Sequence, residues 1–149
     1  MDAGIDLDAQ NSDGQNCLLA LAEKQNRHPA FYSITEHLIE KKIDLNAVEK
    51  NGMNIMIYLS QVNGGGKLKK SMVELLIRNG IDVNARTKTG YNILLSLAKN
   101  HNPLRLPTST DNRDFVAIIQ LLVQKSIDVN QKNKEDMNAL HLLWYFKQT

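Results

Sequence analysis

Ile81-Asp82-Val83-Asn84, trailed by Gly90-Tyr91-Asn92, is the stretch on which the reading of this chain turns, because it recurs. The other copies are Ile5-Asp6-Leu7-Asp8, Ile43-Asp44-Leu45-Asn46 and Ile127-Asp128-Val129-Asn130. Each has its own second phrase: Gly14-Gln15-Asn16, Gly52-Met53-Asn54 and Asp136-Met137-Asn138. The spacing is 38 residues from 5 to 43 and from 43 to 81, and 46 from 81 to 127. A repeat of that length means stacked units that bury their apolar faces on one another, rather than one central core. Such an architecture points to binding as the class of function and leaves the partner unnamed.

Working outward, 149 residues are enough to bury a sizeable core in one domain. Hydrophobic residues make up 42% and charged residues 23%, as in a soluble folded protein and unlike a disordered chain. Eighteen basic and sixteen acidic side chains leave a net charge of +2, which gives no global reason to bind nucleic acid or membrane. The single cysteine, Cys17, excludes an internal disulfide framework, so an intracellular compartment, cytoplasmic or nuclear, is the expectation. No apolar run reaches the roughly 18 residues of a membrane helix, and Met1-Asp2-Ala3-Gly4 does not open a signal peptide.

Within one unit, Asn54 precedes the apolar run Ile55 to Leu59, a short buried helix with Asn54 as its N-cap. Asn16, Asn92 and Asn138 recur at the same place. A second helix carries Met72, Val73, Leu76 and Ile77 as a one-sided stripe, and the same offsets hold Ile118, Ile119, Leu122 and Val123, or Ile34, Thr35, Leu38 and Ile39. Gly80 then stands where a helix C-terminus needs positive φ, with Lys42 and Ser126 at the equivalent positions. From there to the next turn glycine the chain makes an excursion of fixed length, which reads as a β-hairpin finger. Length varies instead between the two helices of a unit, at 23–33, 61–70 and 99–114, where Pro29, Pro103, Pro107 and Gly64-Gly65-Gly66 lie.

Taken together, Leu76-Ile77-Arg78-Asn79-Gly80-Ile81-Asp82-Val83-Asn84-Ala85 and Met137-Asn138-Ala139-Leu140-His141 resemble the ankyrin repeat. The resemblance covers essentially the whole chain and implies an all-α solenoid of antiparallel helix pairs joined by β-hairpin fingers. On that pattern, 1–14 is the tail of a preceding repeat, 14–51, 52–89 and 90–135 are full repeats, and 136–149 is a partial last one. The whole of 1–149 is then a single domain that begins and ends within a repeat. Only His141 keeps the family's helix-start histidine, which ties neighbouring repeats by hydrogen bonds. Apolar packing is expected to replace those ties elsewhere.

The resemblance implies a non-enzymatic protein-interaction module that binds a partner protein or peptide on its concave face. Carried onto this sequence, the position after the turn glycine is Gln15, Met53, Tyr91 and Met137. Three of these are large and apolar, suited to an adaptable grip on a peptide; the plainer alternative is local padding of the fingers. Flanking finger-tip residues are Ser12 and Asp13, Lys50 and Asn51, Lys88 and Thr89, Lys134 and Glu135. Their charge drifts from acidic to basic, which would orient a partner with an acidic stretch unless it is only a solvated rim. Two rival roles stand beside this one: a regulatory inhibitor masking one signalling or transcription protein, and a structural spacer in a longer array. The family also includes substrates of an asparaginyl hydroxylase, and Asn46, Asn84 and Asn130 fit its spacing; the plain reading is that they hold the finger turn.

Other chemistry finds no footing. Lys67 after the triple glycine is followed by Leu68, not by the Ser or Thr of a phosphate loop. His28, His37, His101 and His141 do not stand at zinc-ligand spacing with Cys17, so no metal or other cofactor is expected. His37, aligned with Leu75 and Leu121, is expected to be half-buried, and Cys17 to be a small core residue. No nucleophile has a base partner, and no carboxylate pair sits in an apolar setting, so no enzyme is expected. Leu140, Leu142, Leu143, Trp144, Tyr145 and Phe146 gather apolar side chains at the C-terminus, as a cap on the last helix pair, a truncation mark or a self-association patch.

Overall fold

A computed structural model describes residues 4–25, 28–61, 68–100 and 109–145, with side chains described throughout except at 25 and 109–113. Helices α1 (Cys17–Gln25) and α2 (Phe31–Glu40) form a first pair. Helices α3 (Ile55–Gln61) and α4 (Lys70–Arg78) form the second, and α5 (Ile93–Asn100) and α6 (Ser109–Gln124) the third. Helix α7 (Ala139–Tyr145) stands as the first helix of a fourth unit. First helices stack in a row, α1 on α3 on α5 on α7, and among second helices α4 packs on α6. One cluster of buried side chains runs the length of the stack, including Leu19, Ile57, Leu95 and Leu142 at successive levels. The architecture is an all-α repeat solenoid.

Local chemistry explains the helix ends. The Oδ1 atoms of Asn16, Asn54, Asn92 and Asn138 each accept the backbone N–H three residues on, at 3.0 to 3.1 Å. Each thereby satisfies one orphan donor of a first turn. At the other end of α4, Ile81 N–H donates to Leu76 C=O and Gly80 N–H to Ile77 C=O, a Schellman closure. Gly80 takes φ +88°, and Lys42 and Ser126 adopt the same left-handed conformation at 62° and 59° without being glycine. The side-chain stripe of the second helices packs as its spacing predicts at Met72, Val73 and Leu76, while Ile34 and Val123 remain exposed.

Four sequence-based expectations take a different form. The fingers are hydrogen-bonded turns, and no strand forms among the described residues. Each finger closes on itself with one long bond, such as Glu49 N–H to Met53 C=O, and one turn bond, Gly52 N–H to Glu49 C=O. A single closing pair per finger is too short to make a strand ladder. Cys17 is exposed, because it heads the first unit; Ile55 and Ile93, at the same position inside the array, are buried. His37 faces solvent beside Glu40, with Nδ1 3.4 Å from its carboxylate and 65% of the side chain exposed. Ties between units are not only apolar. The cap asparagines 16, 54 and 92 turn their Nδ2 groups to the backbone C=O of Asp44, Asp82 and Asp128 in the next finger. The inserts at 23–33, 61–70 and 99–114 fall partly or largely outside the described residues, as do Gly64 to Lys67, His101, Pro103, Leu104, Leu106, Pro107 and Phe146.

Candidate binding face

The finger tips stack into a backbone ladder. Lys50 N–H donates to Asp13 C=O, Lys88 N–H to Asn51 C=O and Lys134 N–H to Thr89 C=O, at 2.8 to 3.1 Å. Three of the turns use positive-φ glycines, and a Cβ on Gly52 would meet Arg86 C=O and Lys88 N–H of the next finger at 3.2 Å. Close passage of one finger over the next therefore requires glycine there. Asp136 takes the same conformation in the last finger, φ 60°.

Behind each tip stands a polar residue that sequence reading passed over. Asn11 Oδ1, Glu49 Oε1 and Asn133 Oδ1 each accept the backbone N–H groups two and four residues on, at 2.8 to 3.2 Å. Thr87 Oγ1 accepts the N–H of Tyr91 and pairs with Thr89 Oγ1. A polar residue three before each turn residue was the available signal, but Asn, Glu, Thr and Asn share only an acceptor atom, not a residue type. Glu49 is buried with this work to do, its Oε2 accepting Asn51 Nδ2.

The post-turn residues line up beside these turns. Met53, Tyr91 and Met137 are half-buried and pack against the core cluster. Gln15 is buried; it donates through Nε2 to Glu23 and accepts from Asn11 Nδ2. Tyr91 receives a hydrogen bond from Asn133 Nδ2 at its hydroxyl and carries Lys99 Nζ 5.1 Å from its ring centroid. Gln15 with Glu23 and Tyr91 with Lys99 show the same offset, which places the post-turn residues against the ends of the first helices. Ser12, Lys50, Asn51, Lys88, Thr89, Lys134 and Glu135 are exposed on the tips, and Asp13 is half-buried.

Charge on this face changes along the stack. At the first two levels Asp13 accepts from Lys50 Nζ at 2.7 Å, which holds that ammonium above the ordinary lysine value. Burial raises the Tyr58 phenol, and the Glu23 and Glu49 carboxylates raise it further. At the third and fourth levels Lys88, Lys99 and Lys134 are exposed. Asn46 and Asn84 reach the next unit away from the tips: Oδ1 accepts the N–H of Asp82 or Asp128 and Nδ2 donates to Gly80 or Ser126 C=O. Asn130 occupies the same position in the last finger and is exposed. Among the described residues no three His, Cys, Asp or Glu side chains group to hold a metal ion, and no helix is long and apolar enough to cross a membrane.

No protein-family model matches the chain. No curated protein matches it either. Among solved structures it is similar to the ankyrin repeat domain of Bcl-3, described as a unique member of the IkappaB protein family, with 24% identity and a TM-score of 0.66. The match covers 95% of this chain and 53% of that one, so the chain spans about half the length of the solved domain. That likeness takes in nearly all of the stacked helix pairs described above, and the chain has the ankyrin-repeat fold.

Proposed function

We propose that this protein is a non-enzymatic interaction module that grips a partner protein or peptide on its concave face, between the finger tips and the first helices. The observation that carries this reading is the row of Met53, Tyr91 and Met137. They are half-exposed at equivalent positions, beside tips that are already locked to one another by backbone hydrogen bonds. A surface held this rigidly gives up little ordering entropy on binding. Ser12, Asp13, Lys50, Asn51, Lys88, Thr89, Lys134 and Glu135 form its rim, with Gln15 as a buried support for the first level. Exposed Lys88, Lys99 and Lys134 favour a partner whose acidic stretch lies toward the last units. We place the chain inside the cell, where its exposed single thiol stays reduced.

Affinity capture from cell extract tests the reading, comparing the native chain with a Met53→Glu, Tyr91→Glu, Met137→Glu variant whose fold is checked by circular dichroism. The expected result is a partner held by the native chain and lost by the variant. Equal capture by both removes the row from the binding surface, and the module then works through its tips or inserts.

The asparagines fitting the hydroxylation spacing differ in access. Asn46 and Asn84 hold the next finger with both ends of the amide, whereas Asn130 makes no such bond among the described residues. An asparaginyl hydroxylase offered this chain should act first at Asn130, read as the gain of one oxygen atom on the peptide containing it. Modification first at Asn84 would sink that order.

A further inference from the structure

Eight residues after each post-turn residue, the first helices carry a second row: Glu23, Gln61 and Lys99 at successive levels. Their charge runs from negative through neutral to positive. Gln61 is engaged, donating Nε2 to Ser96 Oγ on the next first helix at 3.2 Å. Glu23 and Lys99 are exposed, and among the described residues neither makes an ion pair. At the first level Gln15 Nε2 donates to Glu23 Oε2 at 3.1 Å, which holds the carboxylate without neutralising it. Glu49 adds a second negative charge, met only by amide donors, while Asp13 is already balanced by Lys50. Burial first, then the Glu23 and Glu49 carboxylates, raise the Tyr58 phenol, so the field of the pair reaches the second level.

At the third level the chemistry reverses. Asn133 Oδ1 accepts the N–H groups of Glu135 and Met137, which fixes the orientation of its amide, so Nδ2 donates to the Tyr91 hydroxyl at 3.0 Å. The Tyr91 proton is thereby turned away from Asn133, with no acceptor among the described residues. Lys99 Nζ stands 5.1 Å from the centroid of the same ring, and Lys88 and Lys134 are exposed on the tips at this level and the next. A phenol donor beside an ammonium fits an acceptor that carries negative charge, and a carboxylate is both. Met53, half-buried and apolar, lies at the level between the two poles. Stacked helices lie about 8–10 Å apart, so the poles stand about 16–20 Å from each other, the rise of about five or six extended residues. Side chains alternate along an extended chain, and only an even separation, about six, brings both charges to one face.

We propose that the concave face binds an extended peptide in one direction only, with a basic side chain on Glu23 and, about six residues away, an acidic side chain on Lys99 and the Tyr91 hydroxyl. Between them the peptide lays an apolar side chain against Met53. The assignment rests on the reading of that face as the binding surface. A peptide laid in reverse brings like charges together at both poles, so the polarity of the row rejects it.

Selection from a phage-displayed library of random peptides, long enough for extended or helical spacing, tests this on the full chain. Peptides held by the native chain should carry a basic and an acidic residue in one fixed order, about six positions apart. The Glu23→Lys, Lys99→Glu variant should select the reverse order. For a peptide from the native selection, Lys99→Glu should weaken binding about tenfold by fluorescence anisotropy. Changing that peptide's acidic residue to lysine should restore it, a rescue that misfolding does not produce. Tyr91→Phe, which keeps the ring and removes the proton, should weaken the acidic peptide and not its alanine counterpart. The proposal is overturned if the folded native chain selects no peptide, or if both chains select the same order or none. Charges about eleven to thirteen positions apart, the spacing of a helix, overturn it too. The Met53→Glu, Tyr91→Glu, Met137→Glu variant tells two failures apart. If it keeps the native peptides, the face is wrong; if it loses them and they show no charge order, the face stands and its polarity falls.

Discussion

Asn54 uses both atoms of one amide: Oδ1 accepts Ile57 N–H to cap α3, and Nδ2 donates to Asp82 C=O to hold the next unit. Asn138 makes only the first bond, to His141 N–H, because no unit follows it among the described residues. Losing a cap costs about 1 kcal/mol and a further hydrogen bond about 1 kcal/mol more. Urea denaturation should therefore show Asn54→Ala destabilised by about 2 kcal/mol and Asn138→Ala by about half as much; equal losses would mean that the inter-unit bond contributes nothing. The capping half of this residue was legible in the sequence, because a cap is decided within one turn. The linking half was not, since it depends on where the neighbouring finger passes. Backbone conformation makes a second contrast. A Cβ on Gly80 meets open space and one on Gly52 meets the next finger, so Gly52→Ala should cost clearly more than the ~1 kcal/mol of left-handed strain expected for Gly80→Ala. Lys42→Gly should stabilise, by about 0.5–1 kcal/mol, since its φ of 62° is already that of a glycine.

At the scale of the element, the finger is the part that sequence patterning described least well. Fixed length and a turn glycine suggest a hairpin, yet the closing bond of each finger is single and the remaining turn amides go to a side chain. In the second finger that side chain is Glu49, which serves the N–H groups of Asn51 and Met53 through one oxygen. Glu49→Ala should cost about 2–3 kcal/mol, as expected for charge-assisted bonds to a buried group, and Glu49→Gln less, because an acceptor oxygen remains. Burial, then the Glu23 carboxylate and then this one, raise the Tyr58 phenol above its ordinary value of 10.0. The neutral phenol is thus favoured by folding, so its contribution to stability is fully present below pH 10.0 and is lost as pH rises through the folded-state value. Ultraviolet titration should show one late-ionising tyrosine that disappears in Tyr58→Phe and ionises earlier in Glu49→Gln. A profile unchanged by Glu49→Gln would remove Glu49 from the account.

Across the whole molecule, the main contacts between units join adjoining ones, α1 with α3, α3 with α5, α5 with α7 and α4 with α6, so stability adds from unit to unit. The period of the sequence made the stacking legible, down to which residues line the seam, but not the condition of the ends, because Cys17 and Leu140 differ from Ile55 and Met56 in surroundings more than in type. Leu95 and Leu142 make the consequence measurable. Both are fully buried, Leu95 with first helices on either side of it and Leu142, among the described residues, with α5 on one side only. Replacing either with alanine leaves a cavity, at about 2–5 kcal/mol when the site cannot collapse. For Leu95→Ala that loss breaks contacts to both neighbouring levels, so amide exchange should accelerate from α3 through α7. For Leu142→Ala the loss falls on α7 and the last finger, which can open while the units before them stay closed. Hydrogen exchange read by mass spectrometry should therefore show fast exchange confined to 127–145 in the second variant and spread over the array in the first. Equal acceleration everywhere in both would mean one cooperative unit, with the levels too strongly coupled for any of them to open alone.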